Sequence, residues 1–287
     1  MDDCLTAVYD LAMCPAKYDF LGFLLAAENE RGLRGLKSVR FVFLPGPNDG
    51  FRDDHMPPRD TAAREQMMRN VVLPMCKLLP SCIGVERRDH RGIGDLDGWI
   101  TTGASERVYG LKILVQVARN GLYPLRVDGA LPGHDNVVTI TLRESHYWPT
   151  RNSTREVWFE VAERLTDMGL TPLFVPDVDS ADTDELKQHG QVDHEATTDL
   201  HGRLRLYRSC RHNFFVNNGP AWLATFVPDI NMTMCKILAP EAPGTTHGFY
   251  ANAGLPPGSQ LGRPGHRIIW GEETAVLNAL DDLAAAA

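Results

Sequence analysis

The sequence lacks any apolar run of the ~18 residues that a bilayer-spanning helix needs. Its opening, "MDDCLTAVYDLAMC", has two acids where a secretory signal carries a basic region. These absences predict a cytoplasmic protein and leave peripheral membrane contact open. The six cysteines, Cys4, Cys14, Cys76, Cys82, Cys210 and Cys235, form no C-x-x-C pair and no Cys/His ligand spacing. A zinc module and a disulfide framework are both excluded as expectations, and reduced thiols are predicted. Positive charge is also in short supply: 29 Lys and Arg face 37 Asp and Glu, a net charge of -8. No nucleic-acid partner is expected, because a broad footprint on phosphates needs a basic excess. An anionic ligand has to be held locally. A G-x-G-x-x-G fingerprint is missing, which sets NAD-linked chemistry last, and without a G-x-S-x-G elbow Ser145, His146 and nearby acids do not read as a hydrolase triad. Repeats of solenoid length and low-complexity tracts are absent apart from the terminal alanines.

What is present is a rhythm of strands and helices. At 287 residues the chain exceeds one domain of about 100–200 residues, and two lobes are expected. "LTAVYDL" (5–11) reads as a strand, "YDFLGFLLAAENERG" (18–32) as a helix and "LKSVRFVFLPG" (36–46) as a strand, so the chain opens β-α-β. A helix over 61–79, short strands at 82–86 and 97–102 and a helix near 105–119 continue the alternation, the pattern of a parallel sheet with helices on its faces. Residues 120–136, rich in Gly, Pro and Asp, read as the linker, which divides the chain into lobes 1–125 and 126–287. The second lobe restarts with a strand at 137–142, a helix at 154–168 and the strand "TPLFV" (171–175). After a polar stretch (176–196) come a helix near 198–211, the strand "NFFVNN", a short helix from Pro220, a strand near 232–238 and the final helix "EETAVLNALDDLAAAA".

Ligands of open α/β sheets bind beyond the carboxyl ends of the strands, so strand-to-helix corners carry the functional expectation. One is "RESHYWPTRNSTRE", where Ser153 and Glu156 have the spacing of a capping box that starts the helix at Ser153. Val157, Trp158, Val161, Leu165 and Met168 form its apolar stripe. The positive helix end beside Arg143 and Arg151 predicts a phosphate pocket, against the alternative that these arginines pair with Glu144 and Glu156 on the surface. The other corner is "FFVNNGPAWLA" (214–224). Asn217, Asn218 and Gly219 precede Pro220, which suits the first helical position, and Gly219 allows a close approach to backbone.

Other groups are read as follows. Asp95-x-Asp97 and Asp177-x-Asp179 match a D-x-D metal spacing that acidic turns also share, and no metal is expected. Asp177, ending the second strand of its lobe, stands where a doubly wound sheet meets a ribose. In the first lobe "GFRDDH" (50–55) offers Asp53, Asp54 and His55, either as a solvated loop or as a general base on an acceptor hydroxyl. Cys210 reads as core.

The segments "TLRESHYWPTRNSTREVW", "LFVPD", "RLRLYRSCRHNFFVNNGPAWLA" and "GLPPGSQLGRPGHRIIWGEE" resemble a group of bacterial GT-B-type glycosyltransferases tied to surface-polysaccharide synthesis. The likeness covers most of the chain and is strongest from residue 137 onward. "NNGPAWLA" is more distantly similar to the G-P-x-H-L-A corner of heptosyltransferases, with Trp222 where that family has His. The resemblance implies an α/β protein of two Rossmann-like, doubly wound lobes facing a cleft. The second lobe would hold a nucleotide-sugar donor, and the first, reduced in size, a glycan or lipid-linked acceptor. It implies no cofactor beyond the donor and no metal. Arg143 and Arg151, with Asn152 and Ser153 beside them, would neutralise the diphosphate, Asn217, Asn218 and Gly219 would bind phosphate or sugar, and Glu144 or His146 would compete with Asp53 and His55 as base. Charge developing on the departing nucleotide is where such donors act most strongly. Pyruvyl transfer on the same architecture and a non-catalytic nucleotide- or sugar-binding protein are the rival readings.

Overall fold

The computed structural model describes residues 3–53, 60–96, 100–101, 107–177 and 183–285. The chain divides into two compact units, Met1–Val117 with Pro124–Arg126, and Ala118–Tyr123 with Val127–Ala287. Both are α/β with Rossmann-like parallel sheets.

The first unit runs β1 (Cys4–Asp10), α1 (Phe20–Leu33), β2 (Ser38–Leu44), α2 (Thr61–Met67), a π turn (Met68–Val72), α3 (Leu73–Cys76), β3 (Cys82–Arg87), β4 (Ile100–Thr101) and α4 (Arg107–Arg119). Its strands are parallel in the order β3-β2-β1-β4. Parallel neighbours require crossover connections, which the helices supply. The single helix expected over 61–79 is interrupted by the π turn: Pro74 has no amide hydrogen for the α-helical ladder, and the widened turn lies just before it. Tyr9, Phe20, Phe23, Phe41 and Phe43 knot the core, with Tyr9 and Phe20 edge to face at 4.9 Å. Such contacts add to the area that each ring buries.

Helices α1 and α4 meet at two glycines. A Cβ on Gly22 would lie 2.6 Å from the Cα of Gly110, so only hydrogen fits at this crossing.

The second unit contains β5 (Val137–Thr141), α5 (Arg155–Asp167), β6 (Thr171–Val175), α6 (Leu186–His189), β7 (Gln191–Val192), α7 (Glu195–Thr198), α8 (Leu200–Ser209), β8 (His212–Val216), α9 (Gly219–Ala224), β9 (Met232–Cys235), α10 (His247–Asn252), β10 (His266–Ile268), a 3₁₀ segment (Glu273–Ala279) and α11 (Leu280–Ala285). The sheet is parallel throughout, ordered β10-β9-β8-β5-β6-β7. Successive strands are laid to one side of β5 as far as β7, and then β8 starts again on its other side. That reversal is the switch point of a doubly wound sheet.

The polar stretch 176–196 holds more order than its composition predicts. Leu186 is fully buried on α6, β7 pairs with β6, and His189 stacks on Phe159 at 3.9 Å. Strand β10 follows no sequence expectation either; three residues with one buried are too short for a periodic signal. The stripe on α5 packs as expected, with Trp158, Val161 and Leu165 buried against Val138, Ile140, Phe174 and Phe214, and Val157 and Met168 at its margin.

At the amino ends of the strands His212 opens β8 and His266 opens β10. His266 Nε2 donates to the Ile230 carbonyl at 2.9 Å, and His212 Nε2 lies 3.0 Å from Thr233 Oγ1. Burial holds His212 down to about 4, and burial, with a smaller push from Arg263, holds His266 down to about 3. Both imidazoles are therefore neutral in the folded protein.

This packing can be tested at the helix crossing and at the two histidines. Gly22→Ala forces the backbones of α1 and α4 away from each other and should lower stability by about 1–3 kcal/mol, read from its urea midpoint. The unfolded chain protonates histidine near 6.5, and the folded chain does so only near 4 and 3. The contribution of these residues is thus complete above pH 6.5 and is lost as pH falls toward 3. Melting temperatures between pH 6.5 and 5 should fall for the wild type and fall less for His212→Asn/His266→Gln; equal slopes would refute the assignment.

Candidate functional site at the switch point of the second unit

The loop from β5 to α5 is folded around Arg143, which is 6% exposed. Its guanidinium donates to the carbonyls of Tyr147 and Trp148 and to Asn152 Oδ1. Asn152 Oδ1 also accepts from the Ser145 amide at 3.1 Å, while Asn152 Nδ2 donates to the Ser145 carbonyl at 3.0 Å. The Arg143 amide donates to Ser153 Oγ at 2.9 Å, and the Ser153 amide returns a bond to the Arg143 carbonyl at 2.8 Å. Trp148 adopts a left-handed φ of 54°, which lets the loop reverse on itself. Arg143 and Asn152, expected at a phosphate, are here the frame of the loop.

The capping box fails. Thr154, not Ser153, precedes α5, its side chain caps no amide of the helix, and Ser153 Oγ accepts from Arg143 instead. The cap comes from 119 residues away. Glu273, 6% exposed, accepts from the Thr154 amide at 3.1 Å, from Thr154 Oγ1 at 2.7 Å, from the Trp158 indole N–H at 2.5 Å and from Lys236 Nζ at 3.0 Å. A carboxylate at a helix N-terminus is what the macrodipole favours. The anion at the start of α5 is therefore the chain's own. Sequence reading missed both partners: Glu273 looked like an ordinary first-turn acid of the last helix, and Lys236 like a charge at the end of a strand.

The second corner is built on Asn217, which is 4% exposed. Its amide donates to the Cys235 carbonyl at 3.0 Å, and its Nδ2 donates to the Ile237 carbonyl at 3.2 Å and to Tyr250 Oη at 2.6 Å. Its Oδ1 accepts from the Trp222 indole N–H at 3.0 Å. Burial pushes the Tyr250 hydroxyl up to about 12. Asn218 Oδ1 caps α9 through the Ala221 amide at 2.9 Å, so Gly219 opens that helix and Pro220 is its second residue. The two corners, distant in sequence, touch: Arg151 donates to the Asn217 carbonyl at 3.0 Å.

The remaining predicted residues are dispersed. Glu144 Oε1 accepts from Arg155 Nε at 2.6 Å, and the Glu144 amide donates to Asp177 Oδ2 at 3.1 Å, so Glu144 pairs with Arg155. His146 is exposed on the loop. In the first unit Asp53 is exposed and bonded by the Asn48 amide group, and His55 lies outside the described residues. Arg88 grips Asp95 with bonds of 2.8 and 2.7 Å and holds its carboxyl at about 2; Asp97 and Asp179 lie outside the described residues. Among the described residues no group of three or more His, Cys, Asp or Glu is placed to hold a metal ion, and no helix is long and apolar enough to cross a membrane. None of the six cysteines is in a disulfide, and burial pushes Cys210 up to about 12, consistent with a core position.

No protein-family model matches the chain, and no curated protein matches it. Similar solved structures include the E. coli heptosyltransferase WaaC with ADP-2-deoxy-2-fluoro heptose, at 10% identity over 98% of this chain and 99% of that one, TM-score 0.47. The E. coli ADP-heptose LPS heptosyltransferase II is 10% identical over 100% and 99%, TM-score 0.48. A glycosyl transferase family 9 structure from Veillonella parvula is 10% identical over 98% and 92%, TM-score 0.48. At this identity the roles of residues are read from this chain alone.

Removing the carboxylate that unites these elements should be severe. Glu273→Ala leaves the Thr154 amide and the buried Trp158 indole N–H without their acceptor and the Lys236 ammonium without its charge partner, and an expected loss of about 3–5 kcal/mol in urea unfolding checks it.

Proposed function

We propose that the chain is a glycosyltransferase of the GT-B kind, which takes a sugar from a nucleotide-sugar donor at the β5/β8 switch point and passes it to a hydroxyl of a glycan or lipid-linked acceptor without a metal. The observation that carries the reading is the joining of the two strand-end corners by Arg151 and Asn217 at the place where doubly wound sheets bind nucleotides. The family resemblance in the sequence supplies the reaction type.

In this reading Arg151 sets a fixed positive charge beside the donor and offsets the negative charge that grows on the departing nucleoside diphosphate. Gly219, the first residue of α9, has an amide with no intrahelical acceptor and no side chain to keep a phosphate away. Asp177, at the end of β6, is the acid that meets the ribose. His146 is the exposed base of the loop, and Glu144 orients Arg155 rather than taking the proton. Arg143, Asn152, Ser153, Asn217 and Asn218 keep the corners in shape.

A thermal-shift screen of ADP, GDP, UDP and their sugar conjugates, with and without Mg²⁺, tests this. One nucleotide should raise the melting temperature by about 5 °C at a hundredfold excess over its Kd, with or without the metal. Arg151→Ala should weaken that ligand about tenfold. The absence of any nucleotide effect would sink the proposal. A sugar nucleotide that stabilises the wild type yet is never turned over across varied acceptors would make the chain a binding protein instead.

A further inference from the structure

Lys236 follows the last residue of β9 and adopts a left-handed φ of 49°. A side chain in that region is strained, and such strain persists only where the surroundings impose it. Here the turn brings the ammonium to two groups. Nζ donates to the main-chain carbonyl of Asn152, the residue just after Arg151, and to Glu273 Oε2 at 3.0 Å. The pair is largely screened from water, at 19% exposure for the lysine side chain and 6% for the glutamate. Glu273 is itself fixed by Thr154 and Trp158 at the start of α5.

We infer that Lys236 is the positioning residue of the β5–α5 loop. One end of the loop is secured by Ser153 returning to Arg143, and its interior by the Arg143–Asn152 knot. Neither bond ties the knot to the rest of the sheet. The Glu144 amide ties the front of the loop to Asp177, and at its Arg151–Asn152 end contacts outside the segment include Arg151 to the Asn217 carbonyl and Asn152 to the Lys236 ammonium. Both contacts are charge-assisted, and the lysine is in addition held by the buried Glu273 carboxylate. It acts through the Asn152 carbonyl and sets where the adjacent Arg151 stands. Its effect on a nucleotide rests on the function proposed above; its effect on the loop does not.

Hydrogen–deuterium exchange of the full chain separates the two. In Lys236→Met the amides of 143–153 should exchange at least about tenfold faster, with β5 and β8 unchanged, and Lys236→Arg should restore most of the protection. If the methionine variant fails to fold, Glu273→Gln takes its place, since its one amide oxygen can still accept from the Trp158 indole and the Thr154 amide while the charge partner of Lys236 is removed; the same local acceleration is expected. Unchanged exchange in the loop, or acceleration spread evenly over the whole sheet, overturns the inference. ADP, GDP and UDP titrated by calorimetry form the second arm. The nucleotide that binds the wild type should bind Lys236→Met at least about fivefold more weakly and Lys236→Arg within about twofold. Loop acceleration with unaltered nucleotide affinity overturns the positioning role. A wild type that binds none of the three refutes the donor reading, and the exchange result then decides the inference by itself.

Discussion

A helix begins with amides that its own turns cannot satisfy, and in α5 that deficit is met by a carboxylate from the far end of the chain. Glu273 receives the Thr154 amide and hydroxyl, the indole N–H of the fully buried Trp158 and the Lys236 ammonium. A buried acid with so many donors is stable only if every one of them stays in place. The start of α5, the end of β9 and the turn before α11 are therefore fixed as a set. The positive end of the helix therefore faces a carboxylate of the chain itself.

Most polar residues of the switch point build its loops. Arg143 and Asn152 fold the loop, Asn217 gathers β8, β9 and α10, and Asn218 caps α9. Arg151 joins the two corners through the Asn217 carbonyl, and His146 is exposed on the loop. This has a simple cause: a loop of this length has many main-chain groups to satisfy, and long or amide side chains near its ends are the nearest donors and acceptors. A dense cluster of polar residues between a strand and a helix is thus first a solution to folding.

The doubly wound order explains why the corners meet. Strands β5 and β8 are adjacent although more than seventy residues separate them, and the loops that follow them leave the same edge of the sheet. No local pattern in "RESHYWPTRNS" or in "NNGP" encodes that neighbourhood. It arises when β6 and β7 fill one side of β5 and β8 pairs on the other.

Strand and helix periodicity was legible without coordinates for nearly every long element, because apolar alternation and the α5 stripe record which faces must leave water. The two corners were legible as corners for the same reason. By itself, then, the chain determined its alternating α/β class, its core stripes and the addresses of its strand-end loops. Tertiary structure alone decided which polar residues face inward: that Arg143 serves the loop, that Glu273 rather than Ser153 meets the helix end, and that Lys236 belongs to the site at all. Hydrophobic burial repeats with the local period of a helix or strand and can be read from neighbours in sequence, whereas a hydrogen bond or ion pair joins groups brought together only when the sheet closes.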